Sequence, residues 1–285
     1  MRKYILFFTI ILLTVGTASA FINFDNSGKA AIIQLNGQIT PSSSSSAFSA
    51  TGITPENVRK LNQRARDQGA SAIIYEWNSG GGAVVASKEI MRAIESANVP
   101  TVCRFRDVAA SGAYLGSLGC DTIVADSASL TGSIGVRSSY LEFSGTLDKL
   151  GIEYVNITSG EYKEVGSQYQ NASEQDIQRL KETTDKVHQE FIDLVQENRN
   201  LTTSEVENVS TGELFLGSEA EQNGLVDKLG GRTAAVQEAE NLTGQQLTTF
   251  QVQTTPGFSF LNLLTGDSWI KQFVSSEAPI RAEWK

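Results

Sequence analysis

Ser111 lies in the run Asp107-Val-Ala-Ala-Ser-Gly-Ala-Tyr114, one hydroxyl among small side chains. A strand-like stretch at 101–103 precedes it and a helix-like segment follows. A serine at a strand-to-helix turn can expose its hydroxyl, and the free backbone N–H groups of a helix start can bind an anion. A nucleophile needs that geometry. The chain has a single histidine, His188, so a lysine is the leading candidate for the base of a Ser111 nucleophile. Lys163, in Gly160-Glu-Tyr-Lys163, follows a strand-like stretch and a turn glycine. An ordinary lysine has a pKa near ~10.4; to act as a base near neutral pH it must be brought toward 7, on the order of 4 kcal/mol, and burial can supply that.

Each signal also has a plainer reading. Ser is a common helix N-cap, and small residues permit close packing. Asn78-Ser-Gly-Gly-Gly82 is a glycine-rich strand-to-helix turn. It can present N–H groups to an oxyanion or a phosphate, or be only a tight turn. It lacks the Gly-Lys-Ser/Thr ending of a P-loop. Taken alone, Lys163 is an ordinary surface lysine, and His188 reads as a helix-surface or packing residue.

The elements that would position these groups alternate along the chain. A strand is expected over 30–39, then a Ser-rich loop over 40–51. A helix over 54–67 begins at Thr54-Pro55, with proline at its first position. Further strands fall at 71–77, 100–105, 122–125 and 152–157; helices fall at 83–97 and 111–118. Short connections between alternating strands and helices imply right-handed βαβ units and a parallel sheet. The longest helical pattern spans 173–198, with Ile177, Leu180, Thr184, Val187, Phe191 and Val195 at helical spacing. A short helix is expected over 231–242, and beyond Thr243 the chain reads as less regular but apolar, from Phe258 to Phe273.

Composition sets outer bounds. At 285 residues the chain can bury a sizeable core. A net charge of -9 and a pI of about 4.8 argue against nucleic acid as a partner. Arg2 and Lys3, an apolar run over 4–15 and Ala18-Ser-Ala20 have the three parts of a secretory signal. Cleavage after Ala20 is preferred to an uncleaved anchor, and either places the remainder outside the cytoplasm. Cys103 and Cys120 could form one bridge in an oxidising compartment, with two buried thiols the preferred reading. There is no CxxC or histidine cluster to hold a metal. Asn156, Asn171, Asn200, Asn208 and Asn241 each begin a glycosylation sequon.

In combination, the motifs resemble the signal peptide peptidase A (protease IV) family of Ser-Lys serine peptidases. The matching segments are Ala31-Ile-Ile-Gln-Leu-Asn-Gly37, the 78–82 turn with the helix after it, Ala109-Ala-Ser-Gly-Ala-Tyr114, Asp121-Thr-Ile-Val-Ala125, Leu130-Thr-Gly-Ser-Ile-Gly-Val136, Ser159-Gly-Glu-Tyr-Lys163 and Ala220 through Gly224-Leu-Val-Asp227. The resemblance implies an α/β, Clp protease/crotonase-like fold of repeated βαβ units with a parallel sheet and a long helix. It implies Ser111 as nucleophile, Lys163 as general base, Ser133 as the hydroxyl that orients the lysine, and the N–H groups of Gly82 and Gly112 as the oxyanion hole. No cofactor is implied.

The implied activity is that of a membrane-associated serine endopeptidase. It would degrade released signal peptides and other short unfolded apolar peptides through an acyl-enzyme, as a homo-oligomeric ring at a membrane surface. Two departures stand out: Gly80 replaces a usual proline, and Glu213 replaces a frequent arginine. The expected organisation is a signal peptide or anchor over 1–20, the first strand and Ser-rich loop over 21–51, a peptidase domain over 52–242 and an apolar tail over 243–285. The competing class is a crotonase-like protein that binds acyl-CoA, or a catalytically inactive scaffold. The pairing of Ser111 with Lys163 argues against both.

Overall fold

The computed structural model describes residues 27–42 and 52–253. The expectations for the N-terminal segment, for most of the Ser-rich loop and for the apolar stretch 258–273 lie outside the described residues.

β1 (Gly28–Asn36), β2 (Ala72–Ser79) and β3 (Thr101–Ala110) form the middle of an eight-stranded sheet. Their apolar residues run almost without alternation: Ala30 to Ile33 and Ala72 to Tyr75 are all buried. Such runs suit strands covered on both faces, the usual state of a parallel sheet. The path is β6-β5-β3-β2-β1-β8, with β4 (Thr122–Ala125) on β3 and β7 (Lys228–Leu229) on β4. β5 (Leu130–Gly132), β6 (Leu214–Leu216) and β8 (Leu247–Gln251) complete it. All pairings are parallel except that of β5 with β6.

Two apolar layers enclose the sheet. One holds Ile33, Tyr75, Trp77, Ile90, Tyr114 and Phe191. It lies under α1 (Pro55–Asp67), α2 (Val84–Glu95), α3 (Gly112–Ser117) and α5 (Glu174–Arg199). The other packs Ala30, Ile74, Val102 and Val124 against Ala235 and Ala239 of α8 (Arg232–Thr243). α1 starts where expected: the Thr54 hydroxyl accepts from the Asn57 N–H at 3.2 Å, and Pro55 occupies the first turn. α5 opens with a reciprocal capping box between Ser173 and Asp176. Three short helices, α4 (Ser144–Lys149), α6 (Thr203–Val209) and α7 (Gly217–Gln222), fill connections. No helix among the described residues is long and apolar enough to cross a membrane.

The α/β arrangement of repeated βαβ units, parallel sheet and long helix is the one expected. Four details differ. Residues 152–157 are exposed and form no strand, because no neighbouring strand offers them a ladder. β3 runs five residues past the expected end, up to Ala110. The chain beyond Thr243 is regular at first, since β8 pairs with β1 in parallel. Cys103 and Cys120 are not thiols but a disulfide, with Cα atoms 5.7 Å apart. α3 turns the chain back across β3, which returns Cys120 to the start of the strand that carries Cys103.

Candidate active site

β3 delivers Ser111. Its first half pairs with β4 and its second half with β5. Its register to β2 shifts between Trp77 and Ser79, just before the glycine turn. At the end of the strand Ser111 takes φ 54° and ψ -123° and caps α3. A serine at positive φ is strained, and such strain persists only where the surroundings enforce it. Here they do: the Ser111 N–H donates to the Gly132 carbonyl at 2.8 Å, and the Leu115 N–H donates to the Ser111 carbonyl at 2.9 Å. All six residues of α3 are buried. Gly116 is in close contact, since an added Cβ would come 2.9 Å from the Trp77 ring. The small residues around Ser111 therefore seat α3 on the sheet.

β5 delivers Ser133. Ala110 and Gly132 are register partners, so the residues that follow them, Ser111 and Ser133, lie side by side. Ser133 is also at positive φ, 49°. Its N–H donates to the Glu213 carbonyl at 2.7 Å. That contact is made by backbone, so an arginine-to-glutamate departure at this position leaves it intact. Neither serine hydroxyl has a hydrogen-bond partner among the described residues.

The glycine turn delivers the donors. A Cβ at Gly81 would lie 2.6 Å from the Gly112 nitrogen, and one at Gly112 would lie 3.0 Å from the Gly82 nitrogen. The turn and the start of α3 thus approach as closely as backbone allows, which only glycine permits. Neither the Gly82 nor the Gly112 N–H has an acceptor among the described residues. A Cβ at Gly82 would collide with the Ile39 carbonyl at 2.0 Å. Gly80, by contrast, has open space around its would-be Cβ, so the position does not demand glycine. The turn is tied down from below: the Ile39 N–H donates to Gly81, and the Ala83 N–H donates back to Ile39.

Ser111, Ser133 and the 80–82 turn line one cavity of about 1140 Å³. His188 also lines it, with its Nε2 3.1 Å from the Ile134 carbonyl. The sequence placed His188 at a helix surface or in packing; only the tertiary path of α5 brings it to this cavity.

Lys163 is elsewhere. It sits on an exposed turn and does not line the Ser111 cavity. The turn belongs to an arm, residues 143–170, tied together by a few contacts. Arg179 of α5 stacks over the Tyr162 ring at 4.5 Å, the Tyr154 and Tyr169 rings pack at 5.3 Å, and the Phe143 N–H donates to Gln168 at 2.7 Å. The arm is apolar outside, with Val155 71% and Ile157 94% exposed.

A half-buried serine hydroxyl with two convergent free N–H groups and an adjacent hydroxyl suits acyl transfer. Comparison with known proteins points the same way. A family model described as "Peptidase family S49" matches residues 93–246, more than half of the chain. A "Putative signal peptide peptidase SppA" of Enterococcus faecium is 33% identical over 202 residues, which cover 70% of this chain and 59% of that protein. A "Putative protease slr0021" of Synechocystis sp. is 32% identical over 193 residues, covering 67% of this chain and 70% of that one. The chain thus spans about three fifths of the length of the first of these relatives. Among solved structures, a lysine-to-alanine mutant of the 1510-N membrane-bound stomatin-specific protease in complex with a substrate peptide superposes with a TM-score of 0.51. The two are 15% identical over 84% of this chain and 98% of that one. The likeness shows a shared fold, a mixed α/β arrangement around a mostly parallel sheet.

Proposed function

Because this chain belongs to peptidase family S49, we propose that it is a serine endopeptidase in which Ser111 attacks the peptide carbonyl. The observation that carries this reading is the convergence of the Ser111 hydroxyl, the neighbouring Ser133 hydroxyl and the free N–H groups of Gly82 and Gly112. The tetrahedral oxyanion would be held by those two N–H groups, each worth about 3 kcal/mol at the transition state. Hydrolysis of a short unfolded apolar peptide by the wild type, and none by Ser111→Ala, is the expected result. Equal turnover by Ser111→Ala overturns it.

Lys163 is the general base of this reading, and Ser133 orients it. A base lysine has to be shielded from water. A single chain leaves Lys163 exposed and outside the Ser111 cavity, so both the burial and the approach must come from assembly. The arm that carries it ends in exposed apolar side chains, Val155 and Ile157 among them. Such a surface suits a second copy. In the assembly we propose, a homo-oligomeric ring, the arm of one copy brings Lys163 to the Ser111 of its neighbour. The lysine takes the serine proton during acylation and returns it to the leaving amine. Residues 52–242 form the peptidase domain.

The substrates proposed are released signal peptides and similar unfolded apolar segments, which can enter a shared chamber closed to folded domains. The likeness to a protein named signal peptide peptidase supports this choice. An extracytoplasmic site, membrane-anchored or secreted, is supported by the secretory pattern over 1–20 and by the Cys103–Cys120 disulfide. Disulfides persist in oxidising compartments.

A further inference from the structure

We propose that Arg137 makes the Ser111 groove a site for peptides that carry a carboxylate, and so sets specificity within the peptidase reading on which this inference rests. Arg137 is the only Lys, Arg, Asp or Glu side chain that lines the Ser111 cavity among the described residues. Together with Val136 it also lines a second groove, of about 450 Å³, bounded by Ile177 and Leu180 of α5. The two spaces share Val136 and Arg137 and therefore lie side by side. The second groove holds two more charges, Lys181 and Asp185, but these pair with each other at 2.6 Å. Arg137 has no hydrogen-bond or ion-pair partner among the described residues.

The two adjacent grooves thus share one uncompensated positive charge, in a chain whose net charge is -9. The acidic surface elsewhere repels carboxylates, and this groove attracts them. A guanidinium presents a planar fork that matches a carboxylate with two parallel hydrogen bonds. Beside it, Ile177 is 57% exposed although it belongs to the apolar stripe of α5. The stripe is buried only at Phe191 and Val195. Its uncovered end offers an apolar wall next to the charge. A short peptide that lays an apolar side chain on Ile177 and Leu180 and a carboxylate on Arg137 fits both features. The carboxylate has two possible sources, a free C-terminus or an Asp or Glu side chain.

The test uses equilibrium binding to the full-length Ser111→Ala protein, so that it does not depend on turnover. Fluorescein-labelled apolar peptides are compared in two arms: free C-terminal carboxylate against C-terminal amide, and internal Asp against Asn in an amidated peptide. At low salt the charged member of at least one arm should bind about fivefold tighter, the scale of a partly exposed charge-assisted contact. The arm that shows the preference identifies the source. The preference should vanish in Ser111→Ala/Arg137→Gln, survive in Ser111→Ala/Arg137→Lys and shrink at high salt. Equal binding of charged and neutral peptides in both arms overturns the proposal, as does a preference that survives Arg137→Gln. Peptide turnover by the wild type is measured separately, and its absence counts against the peptidase reading alone.

Discussion

The clearest residue-scale feature is that two serines at positive φ stand beside each other at the ends of paired strands. Ser111 and Ser133 were legible as separate motifs, but their adjacency follows from the β3–β5 register, which no local pattern reveals. The glycines differ in what they do. Gly82 cannot accept a Cβ without moving the Ile39 carbonyl, whereas Gly80 can. Gly82→Ala keeps the N–H but must displace it, so under the proposed oxyanion-hole role it should lower kcat by about 100-fold, the usual cost of losing one such donor, with KM changed far less. Steady-state kinetics on an apolar peptide read this directly, and an unchanged kcat would remove Gly82 from the oxyanion hole. Ser133→Ala should lower kcat by less than Lys163→Ala, because an unoriented lysine can still accept a proton. Lys163→Arg should be as inactive as Lys163→Ala, since arginine stays charged.

At the scale of elements, the strand–elbow–helix unit is held from two sides. The Cys103–Cys120 bridge encloses the whole of it, from the start of β3 to the end of α3, with a sequence separation of 17. The Trp77 indole N–H also packs on the Cys103 sulfur at 3.1 Å. Closing a loop of that length is worth about 3 kcal/mol through the unfolded chain. Cys120→Ser should lower stability to urea by about that much, and a midpoint that does not move would count against the bridge.

On the other sheet face, Glu76 of β2 is fully buried. It meets Arg232 of α8 at 2.6 and 2.7 Å and Arg104 of β3 at 3.0 Å. Burial alone would raise its carboxyl, but the two guanidiniums outweigh this and hold it below its ordinary 4.5. A carboxyl depressed on folding stabilises the fold fully above its unfolded value and loses that contribution as pH falls through the folded one. Stability should thus decline as pH drops below about 4.5. Glu76→Gln should flatten that decline and cost about 3–5 kcal/mol at neutral pH by stranding Arg104. Denaturation followed against pH measures both effects, and an identical acid profile in the variant would contradict them.

The main helices and central strands were readable because caps, proline and unbroken apolar runs mark them locally. β5, β6 and β7 were not, because two or three residues carry no periodicity and exist only through their partners. The disulfide and the place of His188 were hidden for the same reason.

At the scale of the whole molecule, the single chain carries the proposed nucleophile in one place and its proposed base on an outward-facing apolar arm in another. In the proposed ring, assembly joins them. The intact protein should therefore elute and scatter light as a closed oligomer, and an active monomer would rule out a site shared between copies. The most direct measurement mixes two inactive proteins, Ser111→Ala and Lys163→Ala, under conditions that let subunits exchange, and follows peptide hydrolysis. Each variant alone should be inactive. In an equal mixture, random assembly should place an intact Ser111 opposite an intact Lys163 in about one site in four and restore roughly a quarter of the wild-type rate. A mixture that exchanges subunits and stays inactive, beside an active wild type, would contradict the pairing of Ser111 with a neighbour's Lys163.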